Sequence, residues 1–283
     1  MYESFAENIK ERGLKVHGVK IFENGEEVLS QHFDEDKRYP IYSAVKTLTS
    51  AAVGLAVNDG KLKIENPISD YIDAGFSDKV KQEAFSKLSV ERFLTMSVTG
   101  FPFRPSGGDW LQFSLSQSSG FDKSAEFSYS NISAYLVGVA CENAVGMPLG
   151  DYINERLLKP LEIDYVEFAK DPQGRFYGAT GASLTLDEFA KIGLVYLNGG
   201  SFDGKEIIQS EWVKLSSRTH IKNSDGGYGY FIWTGKDSFS ISGKWGQKCL
   251  ICPKKKMLIA YLSDEANRSG ELFSLANELI LAE

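Results

Sequence analysis

The sequence predicts an α+β fold: an antiparallel β-sheet flanked by N- and C-terminal helices, plus a mostly helical lobe. Three observations predict it. Runs with strand character lie near both chain ends and are scarce between them. The middle is patterned as helices punctuated by Gly and Pro. And 42% of the 283 residues are hydrophobic, enough for a sizeable core. The simplest arrangement brings the two ends together. Residues 1–40 and 216–283 then form a discontinuous sheet lobe, and 41–215 a helical lobe, of one compact unit with a groove between them.

In chain order, residues 1–12 have the pattern of an amphipathic helix. Val16–Phe22 and Glu26–His32, joined through Asn24-Gly25, read as a β-hairpin. From Ile41 to about residue 215 helical patterns prevail, with breaks at Gly60, Pro67, Gly75, Gly107-Gly108, Gly146, Pro160 and Gly174. After Gly226-Gly227 the pattern returns to strands: Tyr228–Thr234, Ser238–Lys244, Gln247–Cys252 and Met257–Ser263. Ser269–Leu281 closes the chain as a helix.

Charge and composition exclude several functions. A net charge of −7 argues against a nucleic-acid partner. The single basic run, Lys254-Lys255-Lys256, lies between two apolar stretches and reads as a solvated hairpin turn. No stretch is long and apolar enough to span a bilayer. The first residues lack the basic-then-apolar pattern of an export signal, so a cytoplasmic location is expected unless a leader has been trimmed. Of three cysteines, Cys249 and Cys252 have C-x-x-C spacing but fall in a strand-like run, where positions three apart face opposite sides. They read as buried apolar residues, and no metal or organic cofactor is expected. The sequence gives no oligomeric state.

Three short constellations carry the chemistry. In Tyr42-Ser43-Ala44-Val45-Lys46, the hydroxyl and the amine are three residues apart at the front of a helix, hence on one face. The run that follows, Thr47 to Val57, is apolar on nearly all sides, so Lys46 is buried and loses proton affinity. A serine beside a neutral amine is an activated nucleophile. If Ser43 begins the helix, its own N–H is free to hold an oxyanion. Second, Tyr129-Ser130-Asn131 precedes the apolar helical run Ile132–Ala140 and offers a proton-shuttling phenol and a carbonyl-holding amide. Tyr152/Asn154 and Tyr196/Asn198 share its spacing. Third, Ser242-Gly243-Lys244-Trp245-Gly246-Gln247 places two glycines in a strand, a sign of close backbone approach. It offers Lys244 as a cation and the Gln247 N–H as a second oxyanion donor, while Lys191-Ile192-Gly193 is its decoy.

In this order the three constellations resemble the serine β-lactamase and penicillin-binding-protein superfamily, which carries S-x-x-K, a central S-D-N or Y-x-N, and K-T-G or a variant. The Tyr129-Ser130-Asn131 form is similar to class C β-lactamases, D-alanyl-D-alanine peptidases and related serine esterases. Further segments match: Phe93 to Gly100 resembles L-L-T-H-T-S-G, Leu158 to Ile163 resembles P-L-G-M, Gly178 to Ala190 resembles G-G-L-x-S-T-x-D-L-A, and Tyr228-Gly229-Tyr230 resembles G-Y-G-W.

The resemblance implies a β-lactamase/transpeptidase-like fold and a Ser43 acyl-enzyme. Lys46 and Tyr129 share the serine proton, and Lys244 lowers the Tyr129 pKa. Asn131 orients the substrate, and the N–H groups of Ser43 and Gln247 hold the oxyanion within the Trp245-Gly246-Gln247 element. Partners are small esters, amides or β-lactam-like compounds. Trp245, where K-T-G has a hydroxyl, favours esters or peptides over efficient β-lactam hydrolysis. The alternatives are a non-catalytic or penicillin-binding-only protein on this fold, or a Ser-His-Asp hydrolase. For the latter only His17, His32 and His220 are available, and there is no G-x-S-x-G elbow.

Overall fold

The computed structural model describes residues 2–72, 83–117 and 126–281. The break expected at Gly75 lies outside them. The chain opens with helix α1 (Tyr2–Glu11) and the hairpin β1 (Val16–Glu23) and β2 (Glu26–His32). Asn24 and Gly25 take left-handed φ values of 53° and 91° at the turn, as a two-residue hairpin whose twist matches its strands requires. A short β3 (Tyr39–Pro40) leads through a 3₁₀ turn (Tyr42–Ala44) into α2 (Val45–Asn58). Then follow α3 (Val90–Leu94), α4 (Trp110–Leu115), α5 (Asn131–Val145) and α6 (Leu149–Ile153). Next come β4 (Ser183–Leu184), α7 (Leu186–Leu197), the small hairpin β5 (Ser201–Phe202) and β6 (Lys205–Glu206), and α8 (Ser210–Ser217). The chain ends with β7 (Ile221–Asn223), β8 (Gly226–Tyr228), β9 (Trp233–Thr234), β10 (Phe239–Gly243), β11 (Gln247–Cys252), β12 (Met257–Ser263) and α9 (Ser269–Leu281).

The two chain ends meet in one eight-stranded antiparallel sheet of order β2-β1-β12-β11-β10-β9-β8-β7. All seven residues of β12 are buried, because both sheet faces are covered. Met257, Ile259 and Tyr261 join the cluster under α1 and α9, while Leu258, Ala260 and Leu262 join the larger core that includes Phe189 and Ile192 of α7. Thus α7, from the middle of the chain, packs directly on β12, β11 and β1. Period-two alternation also separates the cysteines: Cys249 lies in one cluster and Cys252 in the other, both as free thiols. Lys254 and Lys255 sit in the exposed turn between β11 and β12.

One expected strand is not continuous. Tyr228–Thr234 folds back on itself as β8 and β9, with Phe231 at φ 58° between them. The Phe231 N–H donates to the Leu94 carbonyl and its own carbonyl accepts from Thr47 Oγ1, so long-range contacts hold the reversal. Gly229 permits it: a Cβ there would stand 2.0 Å from the Ser216 carbonyl oxygen.

Candidate active site

Ser43 is presented by a strained turn. Pro40 pairs with Ser183 across β3 and β4, and the Ile41 N–H donates to the Ala182 carbonyl at 3.0 Å, which fixes the approach to α2. Tyr42 then takes φ 47°, unusual for a side chain of that size. Ser43 occupies the 3₁₀ turn just before α2 rather than the helix itself. Among the described residues its backbone N–H has no hydrogen-bond acceptor. The end of β10 packs against this turn so closely that a Cβ on Gly243 would lie 2.2 Å from the Ile41 carbonyl oxygen.

Lys46, one helical turn on, is 1% exposed. Its Nζ donates to Ser43 Oγ at 3.1 Å and to the Ala179 carbonyl at 2.8 Å. No carboxylate pairs with it among the described residues, and burial lowers its pKa to about 7. Near neutral pH the amine is therefore partly unprotonated beside the hydroxyl.

Tyr129 completes the cluster. Ser130 Oγ caps α5 by accepting from the Ile132 N–H at 3.0 Å and donates to the Pro102 carbonyl at 2.8 Å, which locks the segment before the helix. The Tyr129 ring stacks on Trp233 with centroids 5.8 Å apart, and the Lys46 ammonium stands 5.0 Å from its centroid. Desolvation pushes the Tyr129 pKa up to about 12, against a smaller opposing effect of Ser43. This overturns the expectation that Lys244 lowers it. Lys244 is exposed, and its ammonium lies 4.4 Å from the centroid of the Trp245 ring. Tyr129 is thus a phenol at neutral pH.

The third constellation is a turn, not a strand. Gly243 pairs with Gln247, and Lys244, Trp245 and Gly246 connect them, with Trp245 and Gly246 at φ 64° and 90°. Lys244 lines the same cavity as Ser43 and Tyr129, whereas Trp245, Gly246 and Gln247 do not. Trp245 packs edge-on to Tyr42 at 5.2 Å. Gln247, 1% exposed, pins the turn instead: its Nε2 donates to the Lys244 and Ser263 carbonyls and its Oε1 accepts from the Ser263 N–H. The open backbone facing the groove belongs to β10, because β9 pairs only with Phe239 and Ser240 and leaves Ser242 and Gly243 without a strand on that side.

Asn131 starts α5 and donates its backbone N–H to the Phe103 carbonyl at 2.8 Å, while among the described residues its buried Oδ1 has no hydrogen-bond partner. The look-alike motifs are structural. Asn154 bonds the Gly150 and Val166 backbones, Tyr196 is buried, and Lys191 donates to the Leu161 carbonyl. His17 stacks on Tyr39 at 3.7 Å and His220 on Tyr230 at 4.2 Å, and no histidine lines the cavity among the described residues.

The cavity measures about 690 Å³. Beyond Ser43 and Tyr129 its walls include Phe103, Trp233, Leu250 and Phe273. Sequence reasoning missed Lys248, which also lines it. Placing the turn at Lys244–Gly246 would have found it, since Ser242 then falls opposite Lys248.

The Beta-lactamase family model matches residues 5–281. A 6-aminohexanoate-dimer hydrolase from Paenarthrobacter ureafaciens is 22% identical over 281 residues, which cover 84% of this chain and 70% of that protein. The structure of a penicillin-binding protein from Bacillus halodurans superposes with a TM-score of 0.75 at 14% identity, covering 97% of this chain and 99% of that one. A class C β-lactamase mutant superposes with a TM-score of 0.77 at 14% identity, covering 98% of this chain and 94% of that one. At these identities the two superpositions establish the fold.

Proposed function

This chain belongs to the Beta-lactamase family, and from that premise we propose that it is a serine hydrolase that cleaves esters or amides through an acyl-enzyme on Ser43. One observation carries the reading: a buried lysine without a carboxylate partner stands 3.1 Å from the Ser43 hydroxyl. Lys46 Nζ takes the Ser43 proton as Oγ attacks the carbonyl carbon. The developing oxyanion is held by the Ser43 N–H and by a second N–H from the open edge of β10 at Ser242–Lys244, each worth about 3 kcal/mol. Tyr129, protonated at neutral pH, gives its proton to the leaving oxygen or nitrogen and is reprotonated from Lys46. Water then attacks the acyl carbon with Lys46 again as base, and Lys46 returns the proton it gains to Ser43 Oγ as the acyl–oxygen bond breaks.

Esters and amides are favoured over β-lactams. The apolar walls of the cavity, Phe103, Trp233, Leu250 and Phe273, suit the hydrocarbon part of such a substrate. The relative named for hydrolysis of a 6-aminohexanoate dimer supports a substrate outside the β-lactams. The test is a hydrolysis panel of p-nitrophenyl esters, nitrocefin and D-alanyl-D-alanine peptides. Ester or peptide turnover is expected to exceed nitrocefin turnover, and Ser43→Ala to lower it by at least about a thousandfold. Turnover that survives Ser43→Ala would refute the assignment.

A further inference from the structure

Two large aromatic residues that the acyl-transfer steps leave unused have left-handed backbones, Tyr42 at φ 47° and Trp245 at φ 64°. Side chains of that size are disfavoured there and persist only where the surroundings hold them. These two hold each other: their rings meet edge to face, with centroids 5.2 Å apart and planes at 71°. Each is also anchored on its own side. Before Tyr42, Pro40 pairs with Ser183 and the Ile41 N–H donates to the Ala182 carbonyl. The Trp245 carbonyl accepts from Ser263 Oγ at 2.9 Å and from the Glu265 N–H at 3.0 Å, which ties its turn to the end of β12.

Each aromatic residue is the chain neighbour of a free donor. Tyr42 precedes Ser43, and Trp245 follows Lys244. Among the described residues the backbone N–H groups of Ser43 and Lys244 have no hydrogen-bond acceptor, and both residues line the cavity. We infer that the Tyr42–Trp245 pair is a clasp that sets the spacing of these two N–H groups, so that both meet one oxyanion. This rests on the acyl-transfer reading above and narrows its second donor to Lys244. Tyr42 and Trp245 are positioning residues: neither lines the cavity that holds Ser43. The oxyanion exists only on the way through the tetrahedral state. Loosening the clasp therefore lowers kcat and leaves substrate binding alone.

The test compares wild type with Tyr42→Gly, Trp245→Gly, the double variant and Tyr42→Phe. Glycine accepts the left-handed backbone, so each glycine variant loses the ring contact without adding strain. The readouts are hydrolysis of p-nitrophenyl butyrate and the rate at which a fluorophosphonate labels Ser43. Each single glycine variant is expected to lower kcat and the labelling rate at least about tenfold, with KM within about twofold. The double variant is expected to fall no further than the worse single one, because the two rings act as one unit. Tyr42→Phe keeps the ring contact and is expected to stay within about twofold of wild type. Asparagine also tolerates this backbone and replaces glycine in any variant that does not fold, with the same losses expected. Unchanged kcat and labelling in the folded variants, a raised KM at constant kcat, losses that multiply in the double variant, or a Tyr42→Phe loss as large as that of Tyr42→Gly overturns the clasp. Wild type that is not labelled on Ser43 refutes the hydrolase reading and the clasp with it. Labelled wild type with equally fast glycine variants refutes the clasp alone.

Discussion

At the scale of single residues, the proposed mechanism divides proton affinity between the buried Lys46 and the half-buried Tyr129. Desolvation lowers Lys46 to about 7 and raises Tyr129 to about 12, which is why the proposal makes the amine the base and the phenol the donor. Hydrolysis measured as kcat/KM should therefore rise with pH through about 7 and stay level to about pH 10, and a profile that falls across this window would contradict the division of roles. Tyr129→Phe keeps the ring packed against Trp233 and removes only the hydroxyl. It should lower kcat by about a hundredfold or more with little change in melting temperature, as expected for a proton-transfer group. The lysine also has a cost in stability. The folded protein binds fewer protons than the unfolded chain between about pH 7 and the ordinary lysine value of about 10.4, so its contribution to stability rises with pH across that window, by at most about 1.4 kcal/mol per unit. Lys46→Met should consequently be more stable than wild type at pH 7 and lose that advantage by pH 10, in paired thermal melts, while losing hydrolysis. The Ser43–Lys46 pair was legible because helical spacing alone brings the two together. The Tyr129 shift was not, because its direction depends on which groups surround the ring and on Lys244 lying over Trp245 instead.

At the scale of elements, the site depends on the hairpin of β10 and β11, which presses Gly243 against the Ser43 turn. Gln247 holds that hairpin closed through the Lys244 and Ser263 backbones. Gln247→Ala leaves buried carbonyl and N–H groups unpaired and should cost about 2–4 kcal/mol in urea unfolding. It should lower kcat/KM while leaving the pH midpoint near 7, since Lys46 is untouched. A shifted midpoint would mean that Gln247 acts on the catalytic groups directly. β11, β12 and α9 were readable from end to end, because continuous apolar or period-matched runs bounded by Gly, Pro and Lys leave few alternatives. The β8–β9 reversal was not readable, because its causes, Thr47 and Leu94, are far away in sequence. Trp245 and Gln247 stand off the cavity wall because the strand expected to reach Lys244 ends at Gly243, and the turn that follows sends its side chains elsewhere.

At the scale of the whole molecule, the two chain ends share one sheet, and α1 and α9 seal the face opposite the one that α7 covers. Ile9, fully buried in that outer cluster, belongs to stability and not to chemistry. Ile9→Ala should cost about 2–5 kcal/mol and leave kcat at about 20 °C within about twofold. A large loss of turnover in a still folded variant would mean that this face couples to the site. The fold class was legible because strand and helix patterns segregate along the chain, while the role of α7 as a sheet cover was not, since a buried apolar helix does not announce which surface it meets. All of this converges on Ser43 as the nucleophile. The most direct measurement is peptide mapping by mass spectrometry after exposure to a fluorophosphonate: a single adduct on Ser43, absent from Lys46→Met at neutral pH, is predicted, and an unmodified Ser43, or an adduct on another serine, would contradict it.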